Sequence, residues 1–200
     1  IRRCTVYNAG GSECVYGVGG VHIQLCRFWR IGQLQHDGGA TQFGSFQRHV
    51  EVDHCWSHDH FKNGFRFDGG GGPPRPPSQL GVMHHNVTWN TGGMSVKGDR
   101  HLIHNNVVWR TTKGLVILVW PPMNGVNNET ITINNLSPII DTRWWGADRP
   151  PLPGVANANC RRDPTEVLRD PEHLDFRPRA DARDIADAGT IDEAKAHPGF

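Results

Sequence analysis

Between residues 50 and 120, short apolar strands alternate with polar turns, and one arrangement is written three times. The lines are VEVDHCWSHDHFKNGFRFDG, GVMHHNVTWNTGGMSVKGD and HLIHNNVVWRTTKGLVIL. Each opens on a short strand and reaches Cys55, Asn86 or Asn106. Three residues on stands a large ring (His58, Trp89, Trp109), and a second strand follows, led by Gly64, Gly93 or Gly114. Two short strands in a unit repeated at this length predict a solenoid.

The column runs in both directions. Upstream, Cys26 precedes Trp29 and Cys4 precedes Tyr7 by the same three residues; downstream, ITINNLSPII offers Asn134 or Asn135. Steps of 20 to about 31 residues imply constant strands with loops of different length between them. Three positions before the column, Ile1, Ile23, Val52, Met83 and Ile103 form an apolar stack predicted to point inward. Stacked parallel strands bring like residues to about 4.8 Å. A buried Asn then satisfies its amide on the next unit, and Cys fills the same slot in the first three.

These features resemble the right-handed parallel β-helix proteins, the architecture of pectate lyases and related polysaccharide lyases and epimerases. The phrases HDGGATQF, HDHFKNGFRFDG, MHHNVTWNTGGMSVKGD and LRDPEHLDFRPR look like an uncharacterised group of such proteins, over residues 4–189. The resemblance implies an all-β, single-stranded right-handed parallel β-helix (solenoid) with irregular loops and a loop and short-helix C-terminal segment. Residues 1–140 would carry the coils and 141–200 a capping segment. It also implies a secreted, extracellular protein whose partner is polysaccharide.

Composition narrows the partners. A net charge of +1 argues for neither nucleic acid nor an anionic membrane, and no apolar run reaches 18 residues, so no membrane span is expected. The chain opens on a repeat without Met, which reads as a processed chain or a piece of a longer solenoid, with other protein subunits as further expected partners. Of five cysteines, Cys4, Cys26 and Cys55 fit the ladder, Cys14 is open to a disulfide, and Cys160 lies near the C-terminus. Sequons stand at Asn86, Asn128 and Asn135; only Asn128 is well placed for a glycan.

Several segments interrupt the pattern. Residues 69–78 and 120–128 read as Pro- and Gly-rich loops, the first solvent-exposed or one wall of a substrate groove. Trp144 and Trp145 read as a cap over the last coil or, if exposed, a sugar-stacking platform. Asp163 with Pro164 predicts a helix start, and Thr190 with Glu193 a capping box.

Three sets of residues can carry chemistry. One position after the inward stack, alternation turns Asp53, His84 and His104 outward in adjacent coils, where they are metal-ligand candidates or a solvated polar ladder. A one-residue slip would instead bring out His54 and His85. On the second strand, Arg66, Asp68 and Lys97 share an outward face with Asp99 at the next turn. Removing a proton beside a sugar carboxylate needs a base and a cation, supplied by Lys or Arg, or by Ca²⁺ held on Asp. On the turn between the columns, Asp59 is placed to orient His58 or His60.

The catalytic candidates are therefore His58, Asp59, His60, Arg66 and Lys97. The substrate-binding candidates are His36, Asp37, Lys62, Asp68 and Asp99. Together they point to a lyase or epimerase on uronate-containing glycan. A non-catalytic glycan-binding or structural solenoid is the alternative, and hydrolysis by Asp68 with Asp99 a third reading.

Overall fold

Among the described residues, many of the chain's bends turn on one residue that leaves the extended region, and most of those residues are not glycine. Arg3, Leu25, His54, His85, Asn105, Asn134 and Ala158 all take φ between 50° and 55° or so, at one recurrent corner. Asn8, Arg30, Asp59, Asn90 and Arg110 do the same at a second, and His49, Leu80, Arg100 and Glu129 at a third. Such residues bend the chain sharply, at a cost of roughly 1–3 kcal/mol each that packing must offset.

The computed structural model describes residues 1–17, 19–44, 46–69, 77–119, 126–142 and 150–186. The chain opens with β1 (Thr5–Ala9), β2 (Glu13–Gly17) and β3 (His22–Gln24), then β4 (Arg27–Ile31), β5 (Gly39–Phe43) and β6 (Glu51–Asp53). The third cycle is β7 (Trp56–His58), β8 (Asn63–Asp68) and β9 (Val82–His84). The fourth is β10 (Val87–Trp89), β11 (Gly93–Lys97) and β12 (Leu102–His104). The fifth is β13 (Val107–Trp109), β14 (Leu115–Ile117) and β15 (Ile131–Ile133). β16 (Ile140–Asp141) and β17 (Val155–Asn157) end the series.

These strands form three parallel sheets that the chain visits in turn. The ring sheet is β1-β4-β7-β10-β13, the charged sheet β2-β5-β8-β11-β14-β16, and the histidine sheet β3-β6-β9-β12-β15-β17. The fold is thus all-β and mostly parallel. The register is the one alternation predicts: Ile23, Val52, Met83 and Ile103 pair in sequence and are fully buried. They share one core with Phe28 and Val108 of the ring sheet and Phe65, Phe67, Met94 and Val96 of the charged sheet. Ile1 keeps the register, since Arg2 bridges Gln24, but stands exposed at the end of the stack.

The side-chain ladder is continuous. The Cys4 N–H donates to the Cys26 sulfur at 3.4 Å, and the Cys26 N–H to the Cys55 sulfur at 3.3 Å. The Cys55 N–H donates to Asn86 Oδ1 at 3.0 Å, and Asn86 and Asn106 continue the chain to Asn106 and Asn135 at 3.1 Å. Asn135, not Asn134, holds the slot, because Asn134 is the left-handed corner residue. Asn159 then accepts from Asn135. Strand pairing accordingly runs past residue 140: β17 pairs with β15, and Cys160 bridges Leu136. All five cysteines are free, so Cys14 makes no disulfide. Burial pushes its thiol up to about 11.

Beyond the sheets lies a strap: α1 (Pro164–Val167), β18 (Leu168–Asp170), a 3₁₀ turn at Pro171–His173, β19 (Asp175–Pro178) and α2 (Arg183–Ala186). Asp163 caps α1 by accepting the Thr165 N–H, with Pro164 in the first turn, as its sequence predicts. Val167, Leu168 and Ala182 pack with Leu136, and the Phe176 ring lies against Trp56, Trp89 and Trp109. Residues 70–76, 120–125, 143–149 and 187–200 fall outside the described residues, and with them the expectations for the two loops' centres, Trp144, Trp145, Thr190 and Glu193. Among the described residues no helix is long and apolar enough to cross a membrane.

Candidate functional site

The charged sheet earns its name from one outward face. In β8, Phe65 and Phe67 point into the core while Arg66 and Asp68 point away, as period-two alternation requires. Pairing sets Arg66 between Gln42 and Ser95, and Asp68 opposite Lys97. Gly93 starts β11 at φ +103°, and a Cβ there would strike the Gly114 carbonyl of the next cycle. The glycine that leads this strand therefore keeps the charged cycles at stacking distance.

Arg66 is the hub. Its side chain is only 7% exposed, with Nη2 2.6 Å from Asp68 Oδ2 and Nη1 3.1 Å from Asp37 Oδ1. Lys97 pairs with the other Asp68 oxygen, Gln42 Nε2 donates to Asp68 at 3.2 Å, and Lys62 Nζ lies 3.4 Å from Asp37. Partial burial raises the Asp37 carboxyl, but the Arg66 hydrogen bond and charge, Lys62 and the Gly38 N–H outweigh it and hold the group below its ordinary range. Lys113, which sequence reasoning passed over, lies near enough to feel the charges of this cluster. Burial depresses its ammonium first, then repulsion from Lys62 and Arg66, with Asp37 opposing and Lys97 adding to the depression. Lys62, Arg66, Lys97 and Lys113 against Asp37 and Asp68 give these six side chains a net formal charge of +2.

The His58–Asp59–His60 turn leads into this face but is already committed. Trp29, His58 and Trp89 stack face to face at 5.7 and 4.2 Å. Arg27 Nε donates to His58 Nε2 at 2.9 Å, and His58 Nδ1–H donates to Asp59 at 2.8 Å. That fixes a neutral imidazole whose acceptor nitrogen is taken. Burial is the main cause of its lowered pKa, with Asp59 opposing and the Arg27 charge lowering it further. Asp59 also accepts from Asn90 at 2.8 Å. His60 is buried, its Nε2 3.2 Å from the Asn63 carbonyl, and burial drives its pKa down to about 4. Neither histidine offers a lone pair toward open solvent, so the expected base role passes away from them.

The remaining candidates scatter. His36, directly before Asp37, packs edge-on against Phe61 at 5.0 Å. Asp99 accepts the Asn128 N–H of the following cycle at 2.8 Å; burial raises its pKa against that hydrogen bond. Asp53, His84 and His104 do align outward, and His84 stacks on His104 at 4.8 Å. Asp53, however, is taken up by His22, Gln24 and His54, and His84 by Glu51 at 3.0 Å. His22 and Glu51, on the other flank of the inward column, were legible by the same alternation. Lys113, directly before Gly114, was legible as the counterpart of the residues before Gly64.

A scan of family models found no match to this chain, and neither curated proteins nor solved structures gave one.

Proposed function

We propose that the chain is a right-handed parallel β-helix protein acting outside the cell on a uronate-containing polysaccharide, with the charged sheet as its glycan face. Lyase or epimerase chemistry is the reaction we assign to it. The observation that carries this reading is the Lys62/Arg66/Lys97/Lys113 cluster around Asp37 and Asp68. A uronate carboxylate must be neutralised before its neighbouring C–H can lose a proton. Arg66, held rigid by two carboxylates, and Lys62 supply that charge. Lys113 is the base we favour, because burial and the Lys62 and Arg66 charges lower its pKa and so favour the neutral amine more than in an ordinary lysine.

In this scheme the Lys113 amine takes the proton on the carbon bearing the carboxylate. The electron pair then forms a carbon–carbon double bond as the glycosidic carbon–oxygen bond breaks, and the leaving oxygen takes a proton from solvent. In epimerisation the carbanion is instead reprotonated on its other face. Calcium bound here would compete with the cations already paired to both Asp68 oxygens and to Asp37 Oδ1, so we propose that the step proceeds without it. Hydrolysis is less well supported. Asp99 has the raised carboxyl a general acid needs, but it accepts the Asn128 N–H, and Asp68, its expected partner, is paired with Arg66 and Lys97.

A non-catalytic glycan-binding or structural solenoid, alone or with other subunits, is the second reading. What favours it is that Arg66 and Lys97 are mostly buried in ion pairs. The ring ladder does not help it: Tyr7, Trp29, His58 and Trp89 cover one another's faces and present edges, while sugars stack on faces. The test is to incubate alginate, pectate, ulvan and glycosaminoglycans with the protein, with Ca²⁺ or EDTA, and follow the ultraviolet absorbance of unsaturated uronate. Binding without turnover across the panel would replace the lyase reading with the second one.

A further inference from the structure

The face of the histidine sheet carries a second constellation, on a different sheet from the charged one and independent of the proposed reaction. β3, β6 and β9 pair so that His22 lies beside Glu51, and Gln24, Asp53 and His84 follow in register. His22 Nε2 meets Asp53 Oδ1 and stands 3.8 Å from Glu51 Oε2. The three ligand atoms of His22, Glu51 and Asp53 lie within 4.8 Å of one another. His84 Nε2 approaches Glu51 Oε1 from the next cycle at 3.0 Å.

We infer that His22, Glu51 and Asp53, with His84 beside them, form a binding site for a divalent transition metal of the Zn²⁺ class that clips three successive cycles together.

Donor chemistry selects the metal. Imidazole nitrogen with carboxylate oxygen suits Zn²⁺ and its neighbours, at about 2.0–2.2 Å per bond, better than all-oxygen Ca²⁺. Accessibility divides the set usefully. The Asp53 carboxylate is 2% exposed, whereas His22 is 48% and Glu51 41% exposed, so one ligand is preset and two can close over an incoming ion. The preset ligand has its own supports: Gln24 Nε2 donates to Asp53 Oδ2 at 2.9 Å, and His54 Nδ1 lies 2.6 Å from the same oxygen. That leaves Oδ1 aimed at His22. Outer hydrogen bonds of this kind orient metal-binding carboxylates.

The histidines around the site reinforce the reading. His54 and His85 stack in parallel at 4.9 Å, His84 and His104 at 4.8 Å, and His84 Nδ1 faces His85 Nδ1 at 2.7 Å. Surface carboxylates alone would carry no such inference. Here the carboxylate is buried, held from behind, and met by imidazole from two cycles.

The experiment is calorimetric titration of the EDTA-stripped, dialysed full chain with ZnCl₂, repeated with CaCl₂. One saturable Zn²⁺ site is expected, with no comparable Ca²⁺ heat. His22→Ala and Glu51→Gln, both at exposed positions that leave the core intact, should each weaken it by at least about tenfold. His54→Gln should weaken it by about 10- to 100-fold through Asp53. Zn²⁺ should also raise the melting temperature of the wild type and leave that of His22→Ala unchanged. The inference is overturned if Zn²⁺ fails to saturate a single site, or if folded His22→Ala and Glu51→Gln bind it as the wild type does.

Discussion

Asn106 shows what one residue does in this chain. Its Oδ1 accepts the Asn86 N–H and the Asn86 amide, each at 3.1 Å, while its amide donates to the Met83 carbonyl at 2.8 Å and to Asn135 at 2.9 Å. Asn106→Ala strands buried donors and a buried acceptor, each costing about 1–3 kcal/mol. We expect a loss on the order of 3 kcal/mol in denaturant unfolding, against less than about 0.5 kcal/mol for Asn128→Ala on the exposed surface. Equal effects would contradict the ladder's role. His60 gives a pH prediction. Its folded pKa is depressed from 6.5 to about 4, so the native state binds fewer protons than the unfolded chain. Its stability contribution is complete above pH 6.5 and is lost as pH falls from there toward 4. The loss is on the order of 3 kcal/mol. Unfolding curves across that window should show the fall, and His60→Gln should flatten part of it. His85, also lowered to about 4, supplies more of the same slope.

Much of this scale was legible, and its gaps have physical reasons. The ladder could be read because burial restricts one slot to groups that accept a neighbour's N–H. His58 could be read two ways, as ring or as base, and stacking between Trp29 and Trp89 decided for the ring. The corner residues Leu25, Arg30 and Arg110 could not be read as left-handed, because only Gly and, more weakly, Asn, Asp and His announce that conformation.

At the scale of elements, the strap at Leu168–Asp170 and Asp175–Pro178 is held by the Leu136, Val167 and Leu168 cluster and by the Phe176 ring. Phe176 contacts Trp56, Trp89 and Trp109, while the Arg110–Glu172 pair beside it is exposed and adds little. Phe176→Ala should cost about 2 kcal/mol, less than a fully buried Phe because the ring is half-buried. Hydrogen exchange should quicken across 168–178 while β8 and β11 keep their protection. Uniform loss of protection would show that the strap is part of the core instead. The continuation through β17 escaped sequence reading for a related reason. Asn159 holds the ladder slot, but the position three residues later is Arg162, so the ring that marks earlier cycles is missing. The outward columns were half legible: Asp53, His84 and His104 came from one flank of the inward stack, His22 and Glu51 from the other.

For the whole molecule, one core gathers side chains from three sheets, leaving three outer faces free to diverge. The ring sheet is partly covered by the strap, the charged sheet bears the proposed glycan site, and the histidine sheet bears the inferred metal site. Accessibility across the molecule also sorts the sequons. Asn86 and Asn135 are buried in the ladder and Asn128 is exposed. Produced through a secretory pathway, the protein should carry glycan at Asn128 alone. Peptide mass spectrometry checks this, and occupancy at Asn86 would contradict the register.

The most direct test of the charged sheet is the ultraviolet signal of unsaturated uronate, compared between wild type, Lys113→Met and His60→Gln. If the glycan face works as proposed, one polyuronate gives a rising signal that Lys113→Met abolishes and that folded His60→Gln retains. A signal untouched by Lys113→Met, or lost only with His60, would contradict the assignment of the base. No signal on any polyuronate would contradict the lyase reading itself.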